Sequence, residues 1–248
     1  MDTKKVYNEN AGKWLRLEPA SLSDFTARPS VFDACGDLNG RSVLDIGCGE
    51  GYCARELKRR GAGYYLGIDL STEMISAAKT QETDDQYGIE YRACNVLEFV
   101  PERQFDLCVA VFLFNYLGVE EMQRVFSMVY KALGPHGEFI FSVPHPLFPF
   151  VRPEQTPPFY FATNGKNYFE GVNQKLEGEI WKRNGEPLHV QCVHKTFGNY
   201  FDAFRKSGFT GMPEIKELTV TPELAAIDDD FFSPLLNIPL HVLFKVGK

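Results

Sequence analysis

The nine residues Val43-Leu44-Asp45-Ile46-Gly47-Cys48-Gly49-Glu50-Gly51 restrict what this chain can fold into more than any other stretch. Apolar Val43, Leu44 and Ile46 belong to a buried strand predicted over 41–46, which runs into a glycine-rich turn and then a helix predicted over 52–60. Cys53, Ala54 and Leu57 are expected to face inward on that helix, with Gly61 closing it. The glycines alternate as G-x-G-x-G, not the G-x-G-x-x-G of the dinucleotide fingerprint. Glycine permits positive φ here and lets a ligand approach where a Cβ would stand in its way. The free N–H groups of the helix start point over the same loop.

A glycine turn can be purely structural, but the next unit narrows its meaning. A second strand predicted over 64–70 ends in Gly67-Ile68-Asp69-Leu70, which puts Asp69 one helix and one strand past Gly51. An acid at the tip of the second strand, about 20 residues past the loop, is how a doubly wound sheet grips ribose hydroxyls. Asp69 and Ser71 also suit a helix N-terminus. Strand, loop, helix, strand and acid together predict a nucleoside-type ligand.

The alternation continues. A helix after Ser71 carries Met74, Ile75, Ala77 and Ala78, a third strand is predicted over 89–94, and a helix over 119–133 has a 3.6-residue apolar period. A strand over 138–143 follows. Repeated β-α units with buried strands predict a parallel sheet covered on both faces, with ligands at the carboxyl ends of the strands. The pattern breaks at Pro144, where prolines and aromatics crowd together as far as Phe161. Short strands are expected over 175–181 and 190–194. A helix over 196–206 should show Phe197, Tyr200, Phe201 and Phe204 on one face, and last strands are expected over 215–220 and 241–246. Asp228-Asp229-Asp230 is expected to be a solvated loop.

Composition excludes several classes. Net charge is −7, so no basic face for nucleic acid is expected. No apolar run is long enough to span a bilayer and the N-terminus lacks a hydrophobic signal core, so a cytoplasmic protein without membrane contact is expected. The six cysteines form no C-x-x-C pair and are expected to be core thiols. The histidines show no metal spacing, so no metal is expected.

Val43 to Gly51 and Gly67 to Leu70 resemble the first two motifs of the class I S-adenosylmethionine (SAM) dependent methyltransferases. Tyr91 to Val96, Phe105 to Phe112 and Leu133 to Phe139 fall in the places of the family's next three strand motifs, with Asn95 where aspartate is usual. The resemblance is to the small-molecule, ubiquinone-methyltransferase-like branch. It implies a Rossmann-like three-layer α/β sandwich: a seven-stranded, mostly parallel sheet with an antiparallel last strand. As one domain it would divide into an N-terminal helical lid (1–37), a SAM-binding core (38–143), a substrate cap insert (144–195) and C-terminal helix and strands (196–248).

The resemblance also implies roles. SAM would be the cofactor and S-adenosylhomocysteine the product. Gly47, Cys48 and Gly49 would pass close to the methionyl part, Asp69 would bind the ribose, and Leu70 would pack on adenine. Asn95 and Val96 would meet the adenine edge, and Phe112 would lie under the sulfonium. Asp45 and Met74 complete the expected core contacts. Tyr7 and Trp14 could offer rings to the sulfonium, and Arg16 or Arg28 could pair with the SAM carboxylate. Asn115, Tyr116, Phe148, Tyr160 and Tyr168 are candidates for a small, aromatic or heterocyclic methyl acceptor, with His145 and His194 as candidate general bases. Phe112-Leu113-Phe114-Asn115-Tyr116 lacks the Asn/Asp-Pro-Pro-aromatic motif of base-amine DNA methyltransferases and is similar to toxoflavin-type N-methyltransferases. N, O and C methylation stay open, as do monomer and homodimer. An NAD-dependent oxidoreductase and a non-catalytic SAM-binding protein are the alternatives.

Overall fold

In the computed structural model, which describes Asn8 and residues 12–248, seven strands form one twisted sheet. These are β1 (Val43–Ile46), β2 (Tyr65–Asp69), β3 (Ile89–Ala93), β4 (Phe105–Val111), β5 (Leu133–Pro144), β9 (Glu214–Leu218) and β10 (His241–Gly247). Their order is β3-β2-β1-β4-β5-β10-β9. The first five run parallel, and β10 is antiparallel to both neighbours.

Strand parity distributes the side chains. Leu44, Ile46, Leu66, Ile68, Cys108 and Ala110 enter a core shared with the helices Val119–Ala132 and Phe197–Ser207. Val43, Tyr65, Leu107 and Val109 face the opposite way, into a core with the helices Arg28–Ala34, Tyr52–Arg59 and Thr72–Asp85. Because side chains alternate with period two, Asp45 and Asp69 lie on this second face with Val43 and Tyr65. Local chemistry sets the helix ends. Ser71 Oγ accepts the Met74 N–H at 3.1 Å and Thr196 Oγ1 that of Asn199 at 3.3 Å, so each caps orphan donors of a first turn.

The chain between β5 and the helix Phe197–Ser207 forms a second, antiparallel sheet of β6 (Phe159–Phe161), β7 (Lys175–Trp181) and β8 (Pro187–Val193). The expectation of two short strands there omitted β6 and began β8 at Val190 instead of Pro187. The proline-rich stretch also holds a helical turn, Phe148–Val151, where Pro149 falls in the first turn and needs no N–H partner. Phe148, Phe159, Phe161, Leu176, Ile180, Leu188 and Val190 build a third core with Leu22, Phe232, Leu235 and Leu240. Lys195 ties the small sheet to the turn that follows β4. Its buried Nζ donates to the carbonyls of Leu117 at 2.6 Å and Val193 at 2.7 Å.

Two further expectations need correcting. Phe201 is exposed, since the buried stripe of its helix is Tyr200, Ala203, Phe204 and Ser207. Asp228 caps the short helix Asp229–Phe232 and pairs with Arg183 at 3.1 Å, so the acidic run is structured. All six cysteines are free thiols, five of them buried. Among the described residues, no helix is long and apolar enough to cross a membrane.

Candidate functional site

The carboxyl ends of β1, β2 and β4 open on a cavity of about 390 Å³. Strand order reverses here, between β1 and β4, the place where open α/β sheets hold ligands. Gly47, Gly49 and Gly51 all take positive φ, at 79°, 57° and 85°. They differ in what surrounds them. A Cβ on Gly51 would overlap the Tyr91 hydroxyl, and one on Gly47 would lie 3.1 Å from the Leu113 Cβ. A Cβ on Gly49 would meet nothing within 4 Å. Gly49 itself borders the cavity.

Two acids from one sheet face stand beside the loop. Asp69 Oδ2 accepts the Gly49 N–H at 2.9 Å and Oδ1 the Ser71 N–H at 2.8 Å. The carboxylate thus holds the glycine loop against β2 and keeps lone pairs for a ligand. Burial raises its pKa, opposed by those backbone bonds. Asp45 is more deeply enclosed. Tyr65 donates to its Oδ2 at 3.0 Å, yet burial pushes the carboxyl up to about 7, with the Asp69 charge adding to the rise.

Cations come from the segment before β1. Arg28 Nη1 donates to Ser23 Oγ at 2.6 Å and Asp24 Oδ1 at 2.8 Å, while its buried Nε has no partner. Burial alone would raise the Asp24 carboxyl, but Arg28 and Arg16 hold it below its ordinary range. Arg16 lies 3.2 Å from Asp24 and 3.5 Å from Glu50, with its guanidinium 4.7 Å from the Tyr52 ring centroid. Trp14, Arg16 and Arg28 all border the cavity.

Opposite the loop the wall is aromatic. Phe112 leaves β4 with φ of 60°, and its ring sits 5.4 Å from the Arg28 guanidinium and 5.1 Å from the His241 ring. Asn115 and Tyr116 follow, and Phe159, Phe161, Ile180 and Val190 complete the wall from the small sheet.

Every described residue expected to meet the cofactor borders this cavity: Trp14, Arg28, Asp45, Gly47, Cys48, Gly49, Asp69, Leu70, Met74, Asn95, Val96 and Phe112. Tyr7 lies outside the described residues. The acceptor candidates divide. Asn115 and Tyr116 border the cavity, whereas Phe148, Tyr160 and Tyr168 do not. Parity explains Tyr160: in β6, Phe159 and Phe161 turn inward, so Tyr160 turns out, 5.9 Å from Trp181. Phe148 stacks behind Phe159 at 4.5 Å, and Tyr168 packs on His194 at 5.1 Å.

Neither candidate base reaches the cavity lining. His145 bonds Glu217 at 2.7 Å through Nε2 and accepts the Leu147 N–H at 3.1 Å through Nδ1. His194 Nε2 bonds the Tyr168 carbonyl at 2.9 Å. Both rings are held by hydrogen bonds outside the cavity lining, and burial lowers the pKa of each. The histidine that does border the cavity is His241, which sequence reasoning missed because nothing local distinguishes it. Phe159 and Phe161 were missed too, because which face of β6 turns inward depends on its pairing with β7. Among the described residues there is no cluster of metal-ligating side chains.

Comparison with known proteins gives consistent neighbours. Residues 43–137 match a family model described as a methyltransferase domain. An uncharacterized protein of Haemophilus influenzae is 30% identical over 138 residues, 54% of each chain. A ubiquinone biosynthesis O-methyltransferase of Bradyrhizobium diazoefficiens is 40% identical over 74 residues, 30% of this chain and 29% of that protein. The chain therefore aligns with about half, or less, of the length of these curated relatives. A crystal structure of a SAM-dependent methyltransferase from Mesorhizobium loti superposes with a TM-score of 0.66 at 25% identity, covering 89% of this chain and 96% of that one.

Proposed function

We infer that this chain, which belongs to the class I SAM-dependent methyltransferases, transfers a methyl group from SAM to a small aromatic or heterocyclic molecule held under its antiparallel sheet. The observation that carries this reading is the open space at Gly49, beside an Asp69 carboxylate with lone pairs to spare. The surrounding groups suit the rest of SAM. The unpartnered Nε–H of Arg28 is a donor for its carboxylate, and Asp45 is a buried acid for its ammonium. Leu70, Asn95 and Val96 offer an apolar and amide edge for adenine.

When bound, SAM supplies a sulfonium methyl, a ready electrophile. The chain has to align and shield. The glycine loop and Asp69 fix one reactant, while Phe112, Asn115, Phe159 and Phe161 confine the other. Such alignment contributes about 7–11 kcal/mol in well-oriented reactions. Neither His145 nor His194 is placed to take a proton from the acceptor. Residues 144–195 would serve as the cap and the N-terminal segment as the lid.

The direct test is calorimetry with SAM, S-adenosylhomocysteine and NAD, followed by mass spectrometry of small phenols and heterocycles incubated with protein and SAM. SAM and its product should bind, and one acceptor class should gain a methyl group. Binding of NAD in place of SAM would overturn the reading in favour of an oxidoreductase. Binding of SAM with no acceptor methylated would favour a non-catalytic SAM-binding protein.

Two expected results arise here. The Asp45 carboxyl has a folded pKa of about 7, above its ordinary value of 3.8. Between those values the folded protein holds a proton that the unfolded chain has lost, so this group's contribution to stability falls as pH rises toward 7. A cation placed against Asp45 pulls that pKa back down, so SAM binding at about pH 6 should release protons. Calorimetry in buffers of different ionisation enthalpy should show the release, and it should vanish near pH 9 and in Asp45→Asn. Buffer-independent heats at about pH 6 would separate Asp45 from the ligand.

Hydrogen exchange tests the lid and cap. The strands β6–β8 share a continuous core, so their amides should exchange slowly even without ligand. Residues 12–20 and the turn region 144–158 should slow when S-adenosylhomocysteine is added. If those two segments are as protected as β4 without ligand, closure is not part of this protein's cycle.

A further inference from the structure

Two buried acceptor atoms of cavity-lining side chains have no hydrogen-bond partner: Asn115 Oδ1 and His241 Nδ1. The far end of each side chain fixes what these atoms are. Asn115 Nδ2 donates to the Gln191 carbonyl at 3.2 Å, so the other amide atom is the acceptor oxygen. For His241 the logic passes through a hydroxyl. Thr26 Oγ1 gives its proton to the Leu22 carbonyl at 3.0 Å, so it can only accept from His241 Nε2, also at 3.0 Å. The imidazole proton is therefore on Nε2, and Nδ1 carries a bare lone pair.

The ring also stays neutral. Burial, the Arg28 charge and His145 push its pKa down to about 3, so it is a hydrogen-bond acceptor and not a proton store. Buried acceptors without partners are rare because they lose their hydration with nothing in return. A ligand that brings donors removes that loss. The flanking surfaces are the rings of Phe112 and Phe159, 5.1 and 5.8 Å from the His241 ring, and Phe161 beside them. Both acceptors are uncharged, so they neither balance a cation nor tolerate an anion's lone pairs.

We propose that Asn115 and His241 select the methyl acceptor, and that it is a neutral, flat molecule offering N–H or O–H donors to both. This rests on the methyltransferase reading and narrows its substrate to aromatic molecules with at least two N–H or O–H donors, such as catechols and primary aromatic amines. The two residues hold the donor group in place between aromatic faces. An analogue with its donors methylated strands both acceptors, and sites built on buried hydrogen bonds reject such analogues strongly.

The test uses the full chain saturated with S-adenosylhomocysteine. Nitrogen-15 NMR of the histidine side chains, with His241 assigned by its loss in His241→Phe, should show the Nε2–H tautomer from about pH 5.5 to 8.5 in the free protein. Adding catechol or 1,2-diaminobenzene should shift the Nδ1 resonance toward the hydrogen-bonded range. The methylated counterparts 1,2-dimethoxybenzene and N,N,N′,N′-tetramethyl-1,2-diaminobenzene should bind at least about tenfold more weakly. Asn115→Leu should narrow that discrimination, leaving only the share due to His241, while the protein still binds S-adenosylhomocysteine. The proposal is overturned by a proton on Nδ1, by titration of the ring near neutral pH, by an Nδ1 resonance that neither donor moves, or by methylated probes that bind as well as their parents. Failure of the methyltransferase reading would look different: S-adenosylhomocysteine itself would not bind, whatever the tautomer.

Discussion

Asp69→Ala should lower the affinity for SAM at least a hundredfold. Two losses combine. The ribose hydroxyls lose a charged acceptor, and hydrogen bonds to charged groups contribute about 1.5–3 kcal/mol each. The Gly49 N–H, held at 2.9 Å by the same carboxylate, loses its partner, and the loop loses its tie to β2. A loss of about 1.4 kcal/mol is a factor of ten in affinity, so a hundredfold is the conservative end of this range. Asp69→Asn keeps one acceptor oxygen and should fall between the two proteins. Calorimetry on variants with intact circular dichroism makes the measurement. An Asp69→Ala protein that binds SAM within threefold of the parent would place the ribose elsewhere.

The glycine loop should separate binding from folding with equal clarity. Gly49→Val adds its side chain at the border of the cavity, where a Cβ meets no protein atom within 4 Å. The fold then bears only the strain of a left-handed β-branched residue, about 1–2 kcal/mol. Gly51→Val bears that strain and also drives its side chain into the Tyr91 hydroxyl, adding about 1–3 kcal/mol of overpacking. With roughly 2–4 °C per kcal/mol for a chain of this size, Gly49→Val should melt within about 8 °C of the parent and Gly51→Val well below it. SAM binding should nevertheless be abolished in Gly49→Val. Retained binding there would make the loop a turn and nothing more.

The contrast between these glycines shows where sequence reasoning stops. All three were recognisable as left-handed turn positions. Only packing distinguishes the one that borders the cavity with open space around it from the one that faces Tyr91, because Tyr91 arrives from β3, two strands further along the chain. Asp69 was legible for the opposite reason. Its neighbours Gly49 and Ser71 are joined to it by one β-α-β unit, whose geometry repeats wherever the pattern occurs.

The insert was legible as a break and not as a surface. Its prolines and aromatics announce a change of architecture at Pro144, but the expected acceptor contacts include Tyr160 and Phe148 and leave out Phe159 and Phe161, which border the cavity. In a strand, one residue's shift reverses the face, and without the pairing of β6 to β7 nothing in the sequence fixes that parity. The histidines repeat the lesson. His145 and His194 stand beside predicted elements, yet Glu217 and the Tyr168 carbonyl already occupy them.

The sequence by itself therefore determined the doubly wound core, the loop and the acid that faces it. Each of these rests on backbone conformation and strand period, which are properties of neighbouring residues. Tertiary structure alone decided the end of the cavity where Asn115 and His241 lie. There Thr26 meets His241 across 215 residues and Asn115 meets Gln191 across 76. A hydrogen bond between distant segments leaves no periodic trace in the chain, and it is these bonds that decide which polar atoms are used up by the fold and which are left for a ligand.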